Sequence, residues 1–236
     1  MYDIDLHAHT RFFHSFPGRP TAYDPIGAEL LGRVASTRGM DAVATTNHDY
    51  YEEFEHDDVT FIPGIEITTT RGHVLVVGPD PPEGTAPGEL RPEEAVDLAR
   101  DHDCAVILPH PFRNSTVRHS DATFDAFELN GKHADTHTRV RPMADDRSIP
   151  MTGGSDAHFP FEVGRAYTRV DADELTPESV ADAIRDGRVE PVYQGGAIDR
   201  VLSPIYKLIH QGKGQRAPPD VDIEEGGDGG APRSDS

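Results

Sequence analysis

The sequence predicts an α/β fold built on parallel strands. Short apolar runs alternate with amphipathic stretches along the chain, which is the pattern of successive β–α–β units. The chain has 236 residues, a length expected for one domain of α/β-barrel size or for two small domains.

The first half of the chain contains strands and helices in alternation. Residues 2–6 predict a strand, and Asp24 followed by Pro25 predicts the start of a helix that ends at Gly39. The remaining predicted elements of this half are strands at 41–46, 60–68 and 73–78, a turn at Arg71 and Gly72, a proline-rich loop at 79–88 and a helix that begins at Pro92.

The second half continues the alternation up to a polar terminus. Its predicted elements are strands at 104–108, 124–129, 149–152 and 164–170 and a helix between Thr176 and Gly187. Pro142 argues against a regular helix between 129 and 149. An apolar stripe over 197–210 predicts a helix docked on the body, and 212–236 has too few apolar residues to bury, which predicts a disordered acidic tail. The expected organisation is therefore one domain over 1–211 followed by the tail at 212–236.

Composition excludes several classes of protein. A single cysteine, Cys104, excludes a disulfide scaffold, and no stretch approaches the roughly 18 consecutive apolar residues of a membrane helix. The beginning of the chain is acidic and rich in histidine, unlike a signal peptide, so the expected location is the cytoplasm without membrane association. The formal charge of −20 disfavours broad capture of nucleic acid.

The abundance of acidic residues and the scarcity of lysine suggest adaptation to high salt. Only Lys132, Lys207 and Lys213 are lysines, and this composition resembles that of proteins from salt-loving organisms, in which salt screens the self-repulsion. An ordinary acidic cytosolic protein is the alternative.

Polar residues capable of binding metal recur at the ends of the predicted strands. His7 and His9 are alternate residues at the end of the first strand, so both imidazoles face the same side. Such a pair alone is weak evidence for a metal site. The same design recurs, however, at His48, at His110, and at Asp156 with His158. In a parallel barrel the carboxyl ends of the strands meet on one face, where these residues would converge.

Glu66 strengthens the metal interpretation. It lies in an otherwise apolar strand, where a carboxylate is costly unless it is paired or bound to a cation, and His73 begins the strand after the turn. Imidazoles and carboxylates suit zinc, manganese or iron. Two or three such ions lower the pKa of bound water and neutralise charge on a phosphoryl group, which favours hydrolysis of a phosphate ester.

At this point five motifs resemble those of the PHP (polymerase and histidinol phosphatase) family of metal-dependent phosphoesterases. The motifs are His7-Ala8-His9-Thr10, Thr46-Asn47-His48-Asp49, Gly64-Ile65-Glu66, His110-Pro111-Phe112-Arg113 and Gly154-Ser155-Asp156-Ala157-His158. The resemblance implies a single-domain, distorted seven-stranded (β/α) barrel of the TIM-like kind. It also implies two or three divalent metal ions, Mn, Zn or Fe, and the ligands His7, His9, His14, His48, Glu66, His73, His110, Asp156 and His158.

The resemblance further implies how those ligands are distributed among three ions. One ion would be held by His7, His9, Glu66 and Asp156, a second by Glu66, His73 and His110, and a third by His14, His48 and His158. The residues expected to support catalysis are His7, His9, Glu66, Asp156 and His158. The family often has Asp where this chain has Asn47, which implies an altered contact behind the ligands. Many members also have Asp at the place of His14, but histidine occurs there too, so the resemblance implies that the third site is retained as a softer site that suits zinc or manganese.

Three further residues are candidates for binding substrate. Arg113 is the best placed to bind phosphate, because a guanidinium matches two phosphate oxygens; an exposed loop arginine is the alternative. Arg165 is a weaker candidate, with a structural ion pair as its alternative. Asn130, together with Lys132, follows a strand on the predicted active face and could shape the pocket.

The remaining candidate residues are expected to be structural or exposed. Cys104 is expected to be buried and Ser155 to orient its loop. The histidines in this group are His56, His102, His119, His133, His137 and His210.

The function expected from these residues is hydrolysis of a phosphate ester. The substrate would be a small phosphorylated metabolite, a nucleotide or a short oligonucleotide, whereas a long strand is unlikely because no basic, aromatic-rich stretch could follow it. Histidinol phosphatase activity is one specific alternative. A non-catalytic metal-binding regulatory module and a subunit of a larger assembly are alternatives of another class, and the sequence leaves the oligomeric state open.

Overall fold

A computed structural model describes residues 1–11, 19–113 and 115–195. Its strands are β1 Tyr2–Ala8, β2 Ala42–Thr45, β3 Thr60–Thr69, β4 Gly72–Val77, β5 Ala105–Leu108, β6 Ala126–Asn130, β7 Met151–Gly154, β8 Ala166–Val170 and β9 Val189–Tyr193. Its α-helices are α1 Asp24–Thr37, α2 Pro92–Asp101, α3 His137–Arg147 and α4 Pro177–Arg185. Short 3₁₀ turns lie at Val117–His119, Ala134–Thr136 and Pro160–Glu162.

The described strands form one sheet in the order β7-β6-β5-β4-β3-β2-β1-β8-β9. Strands β1 to β3 are parallel, as are β5 to β7, while β4, β8 and β9 run antiparallel to their neighbours. The sheet curls back until the end of β7 meets β1 and β8. There Ala8 pairs with Ala157, and Gly153 N–H donates to Thr168 Oγ1 at 2.8 Å.

The α/β class is confirmed, and the strand number is corrected from seven to nine. The sheet forms a nearly closed barrel. Strand β4 lies in the middle of the sheet order and runs antiparallel to both β3 and β5. The strand β9 was not predicted. It lies at the end of the sheet order and contains Pro191, a residue that lacks the N–H needed within a central strand.

The helix α3 also departs from expectation, because it continues through Pro142. Thr176 begins α4 as predicted, with its Oγ1 accepting from Ser179 N–H at 3.2 Å. The predicted helix at 197–210 and the predicted tail at 212–236 lie outside the described residues.

An apolar interior supports the site from below. Side chains of several strands pack here against Val180 and Ile184 of α4. The strand residues of this cluster include Ile4, Leu6, Ile62, Leu75 and Ile107. In β1 these apolar residues precede His7, so the barrel is filled by hydrocarbon up to the level at which the polar residues begin.

Candidate metal centre

Glu66 lies at the centre of the polar end of the barrel, with five imidazoles around its carboxylate. The side chain is fully buried. Its Oε2 lies 3.3 Å from His7 Nε2, 3.4 Å from His9 Nε2 and 3.1 Å from His48 Nδ1, and its Oε1 lies 2.7 Å from His73 Nδ1 and 3.0 Å from His110 Nε2. The structure therefore brings together residues from five separate places in the sequence.

A β-bulge aims the two histidines of β1 at this centre. The pairing of β1 with β2 shifts from Asp5 opposite Val43 to Ala8 opposite Thr45, so β1 contains one extra residue. Ala8 packs outward while His7 and His9 face Glu66. The two imidazoles thus share a face, as predicted, and the bulge directs both of them toward Glu66.

Asp5 stabilises the bulge from behind. Its carboxylate accepts from His7 N–H at 3.2 Å, from Ser155 N–H at 2.9 Å and from Gly164 N–H at 2.7 Å. Burial outweighs these hydrogen bonds and raises the pKa of Asp5 to about 6. The contact with Ser155 N–H joins β1 to the loop that carries Asp156.

Two predicted ligands occupy backbone conformations that L-residues rarely adopt. His110 has a φ of 29° and Asp156 a φ of 53°. Each residue lies two positions after the end of a strand, where the chain must turn to direct a side chain into the barrel mouth. Such conformations persist only where surrounding contacts maintain them, and they are common at functional sites.

His7 and His9 differ in charge preference although they belong to one motif. Burial disfavours the charged form of His7, but the Glu128 and Glu66 carboxylates outweigh burial and raise its pKa well above the usual value. Burial and the neighbouring His158 lower the pKa of His9 well below the usual value. His9 is therefore a neutral imidazole at physiological pH, the form that binds a metal.

The two central carboxylates remain ionised. Burial favours the protonated form of Glu66, but His48 and His73 outweigh it and hold the pKa of Glu66 well below its usual value. The same competition occurs at Asp156, where Lys132 and then His158 outweigh burial and lower the pKa. The centre thus provides anionic oxygens to a cation.

The buried polar atoms of this centre fit a divalent metal. His7 Nε2, both ring nitrogens of His9 and Glu66 Oε2 are buried, and none has a hydrogen-bond partner within the described parts of the chain. Leaving such atoms unpaired is costly, and a cation would satisfy them. Three overlapping groups have donor atoms within 4.8 Å of one another: His7 with His9 and Glu66, His48 with Glu66 and His73, and His9 with His48 and His158.

Glu128, which sequence reasoning missed, lies behind the ligands. Its Oε1 lies 2.7 Å from His7 Nδ1, and its Oε2 accepts from His110 N–H at 2.9 Å and from Asn130 Nδ2 at 3.0 Å. A carboxylate on the outer nitrogen of a ligand histidine fixes the tautomer and orientation of the ring. The position of Glu128 inside the apolar run of β6 could have identified it, because a carboxylate is as costly there as Glu66 is in its own apolar strand.

Asn47 joins the ends of β1 and β2. Its Oδ1 accepts from Thr10 N–H at 3.0 Å, and its Nδ2 donates to Thr10 Oγ1 at 2.9 Å. Thr10 Oγ1 in turn contacts the buried Asp24 Oδ1 at 3.1 Å. The amide therefore holds the loop after His9 without contributing a charge.

The predicted substrate-binding residues lie in different settings. Arg113 Nη1 is 3.0 Å from Asp156 Oδ2, and its side chain is 26% exposed, so it borders the centre. Arg165 lies against the buried Glu162, with Nη1 3.9 Å from Oε1. The Asn130 amide is buried and bonded to Glu128 and to Lys132 N–H. The substrate roles of all three remain predictions.

His14, expected as a ligand of the third ion, lies outside the described residues. Cys104 is buried, as expected, and Ser155 lies in the loop after β7, where its N–H donates to Asp5 Oδ1 at 2.9 Å. His133 lies closer to the centre than expected: burial, and secondly Arg113, lower its pKa to about 4.

None of the helices in the described part of the chain is long and apolar enough to cross a membrane.

Comparisons with known proteins agree with this architecture. The PHP_C family model, described as PHP-associated, matches residues 135–189, the stretch that includes Asp156 and His158. The uncharacterised protein MJ0417 of Methanocaldococcus jannaschii is 28% identical over 145 residues, covering 52% of this chain. The chain spans 60% of the length of that curated relative.

Solved structures share the fold at low sequence identity. PsfC from Pseudomonas syringae PB-5123 has a TM-score of 0.66 and 18% identity, with 90% of this chain and 98% of that chain covered. A two-domain protein from Bacteroides vulgatus containing a predicted PHP-like metal-dependent phosphoesterase has a TM-score of 0.58 and 19% identity, with 87% and 69% covered. The lesion-specific endonuclease PfuEndoQ from Pyrococcus furiosus has a TM-score of 0.57 and 20% identity, with 80% and 57% covered.

The fold is a nearly closed α/β barrel, and its polar mouth contains clustered histidine and carboxylate side chains that could hold a metal ion. The chain is similar to PHP-associated proteins over residues 135–189, and its fold is similar to that of a protein containing a predicted PHP-like metal-dependent phosphoesterase.

Proposed function

We propose that this protein is a metal-dependent phosphoesterase. The observation that carries the proposal is Glu66, whose fully buried carboxylate lies within 3.4 Å of nitrogens from five histidines. Several of those buried atoms have no hydrogen-bond partner in the described residues. An arrangement so costly in the absence of a cation is best explained by metal binding.

Contacts among the described residues support part of the expected ligand groups, whereas His14 lies outside those residues. His7, His9, Glu66 and Asp156 would hold one ion, and Glu66 with His73 and His110 a second. His48 and His158 approach His9 in the third group and, with His14, would hold a third. Divalent ions, when bound, neutralise charge on the phosphoryl oxygens and promote deprotonation of the attacking water. Mn, Zn and Fe all suit these ligands.

The side chains around the ions would orient the substrate. Arg113 borders the centre beside Asp156 and can donate two hydrogen bonds to phosphate oxygens. Water attacks phosphorus, the bond from phosphorus to the leaving oxygen breaks, and that oxygen leaves as an alcohol with a proton. No nucleophilic side chain is needed.

The substrate class is the open part of the proposal. Histidinol phosphate, a nucleoside phosphate or short oligonucleotide, and another sugar or alcohol phosphate all fit a small site. The similar PfuEndoQ is a lesion-specific endonuclease, which keeps oligonucleotides among the candidates. The formal charge of −20 opposes binding of a long polyanion.

Hydrolysis of a panel of phosphate esters tests the proposal, with release of inorganic phosphate reporting cleavage of a monoester and release of free nucleoside reporting cleavage of a dinucleotide. The panel contains histidinol phosphate, mononucleotides, dinucleotides and an aryl phosphate, with added Mn²⁺ or Zn²⁺ at low and high salt, against His9→Ala. We expect metal-dependent release by the wild type and none by the variant. Absence of release from folded, metal-loaded wild type under every condition would contradict the proposal and favour a regulatory metal-binding module.

A further inference from the structure

Lys132 is anchored beside Asp156 by its backbone. Gly131 N–H donates to Gly154 O at 2.8 Å, and Lys132 N–H donates to Asn130 Oδ1 at 2.9 Å. A Cβ on Gly131 would lie 3.1 Å from Ser155 Cα, so the absence of a side chain lets this loop pack closely against the segment after β7. The lysine side chain therefore starts from a fixed point at the barrel mouth.

The ammonium of Lys132 lies among residues of the metal centre. Its Nζ is 2.8 Å from His158 Nδ1, 3.5 Å from Asp156 Oδ1 and 3.6 Å from Glu162 Oε2. Glu162 Oε2 already accepts from His158 N–H at 2.7 Å and from Phe159 N–H at 2.9 Å. Glu162 is thus held by the backbone independently of Lys132.

Lys132 and Arg113 flank the same carboxylate from two sides. Lys132 faces Asp156 Oδ1, while Arg113 Nη1 faces Oδ2 at 3.0 Å. Asp156 is fully buried, yet the lysine side chain is 14% exposed and the arginine side chain 26% exposed. Both cations therefore lie between the buried carboxylate and solvent, where an incoming anion would meet them.

We propose that Lys132 and Arg113 together bind the phosphate of a phosphomonoester and that Lys132 determines the preference for monoesters over diesters. A monoester phosphate has a charge of about −1.5 to −2 at pH 7, which matches two cations. A phosphodiester has one charge, and its second ester group replaces an oxygen that could accept from the ammonium. This inference rests on the proposed function and specifies its substrate class.

Binding of inorganic phosphate to the metal-loaded protein tests Lys132 without turnover. The variants are Lys132→Met, Lys132→Arg and, as a control for net charge, Arg33→Met, whose arginine is 68% exposed on α1 and pairs with Glu29. Calorimetry gives the phosphate affinity, and elemental analysis gives the metal content of the same samples. We expect Lys132→Met to weaken phosphate binding by about 10- to 100-fold, the effect of a lost charge-assisted hydrogen bond, at unchanged metal content. Lys132→Arg should retain most of the affinity, and Arg33→Met all of it.

The ratio of kcat/KM for an aryl phosphomonoester to that for an aryl phosphodiester tests the preference. Lys132→Met should lower this ratio by the same factor of about 10 to 100, through the monoester alone. Unchanged phosphate affinity and an unchanged ratio would overturn the inference, as would a loss of affinity that merely follows loss of metal. A wild type that binds phosphate through Lys132 but hydrolyses neither ester would instead contradict the proposed function.

Discussion

His7 Nδ1 lies 2.7 Å from Glu128 Oε1, in a buried contact between residues 121 positions apart. The other ring nitrogen, Nε2, faces Glu66 Oε2 at 3.3 Å. When the ring is neutral, a proton on Nδ1 directed at Glu128 leaves Nε2 as the lone-pair nitrogen. Glu128 also accepts from His110 N–H, so one carboxylate positions two predicted ligands.

Glu128→Gln should weaken metal binding more than it weakens folding. A glutamine has one acceptor oxygen, so it cannot serve His7, His110 and Asn130 together. We expect the affinity for Mn²⁺ or Zn²⁺ to fall by about 10- to 100-fold, measured by competition with a chromophoric chelator. The exposed Glu89→Gln is the matched control, and equal affinities of the two variants would refute the role of Glu128.

His9→Ala and Asp156→Asn should abolish hydrolysis while retaining most of the fold. Each removes a predicted ligand, whereas the apolar interior around Ile4 and Leu6 is untouched. Circular dichroism and thermal unfolding report the fold, and phosphate release reports activity. His119→Ala, at an exposed histidine, should behave as the wild type. Substantial activity in either ligand variant would mean that its residue is dispensable.

Arg113→Ala should mainly raise KM for phosphomonoesters. The guanidinium borders the centre beside Asp156 and is expected to bind phosphate in the ground state as well as in the transition state. An increase of about tenfold or more is the size expected for a lost charge-assisted hydrogen bond. Arg141→Ala, at an exposed position of α3, serves as the control. An unchanged KM in Arg113→Ala would show that the arginine does not contact substrate.

His133 should make stability depend on pH between about 6.5 and 4. Burial, and secondly Arg113, lower its pKa from 6.5 to about 4, so the unfolded chain binds more protons in this range. The stability due to the neutral imidazole is complete above the unfolded pKa and is lost as pH falls through the folded pKa. The loss is at most about 3.5 kcal/mol at about 1.4 kcal/mol per pKa unit.

His133→Gln provides the comparison for that pH dependence. The free energy of unfolding of the variant, measured by denaturant titration at several pH values, should fall less between pH 6.5 and 4 than that of the wild type. Parallel pH curves for the two proteins would show that His133 does not titrate abnormally in the folded state.

Much of the candidate site was predictable because local patterns encode it. Alternation in β1 predicted that His7 and His9 share a face, and the energetic cost of a carboxylate in an apolar strand singled out Glu66. The bulge in β1 was not predictable, because it depends on how β1 pairs with β2. The cost of a carboxylate in an apolar strand, which indicated Glu66, applies equally to Glu128 in the apolar run of β6.

The errors in the fold have similar physical causes. Pro191 made β9 difficult to predict, because proline is unfavourable within a central strand. The strand β9 lies at the end of the sheet order, where proline is tolerated. Pro142 suggested an interruption that α3 does not show. The count of seven strands came from the family resemblance, whereas local patterns predicted eight of the nine described strands and missed only β9.

The most direct test of the account combines metal content with activity in one titration. Chelator-treated wild type and Glu66→Gln would each be titrated with Mn²⁺ or Zn²⁺ while bound metal and phosphate release are measured on the same samples. The proposed function predicts that phosphate release by the wild type rises with bound metal, and that Glu66→Gln binds less metal and releases no phosphate. Phosphate release that is independent of bound metal, or that persists in Glu66→Gln, would contradict it.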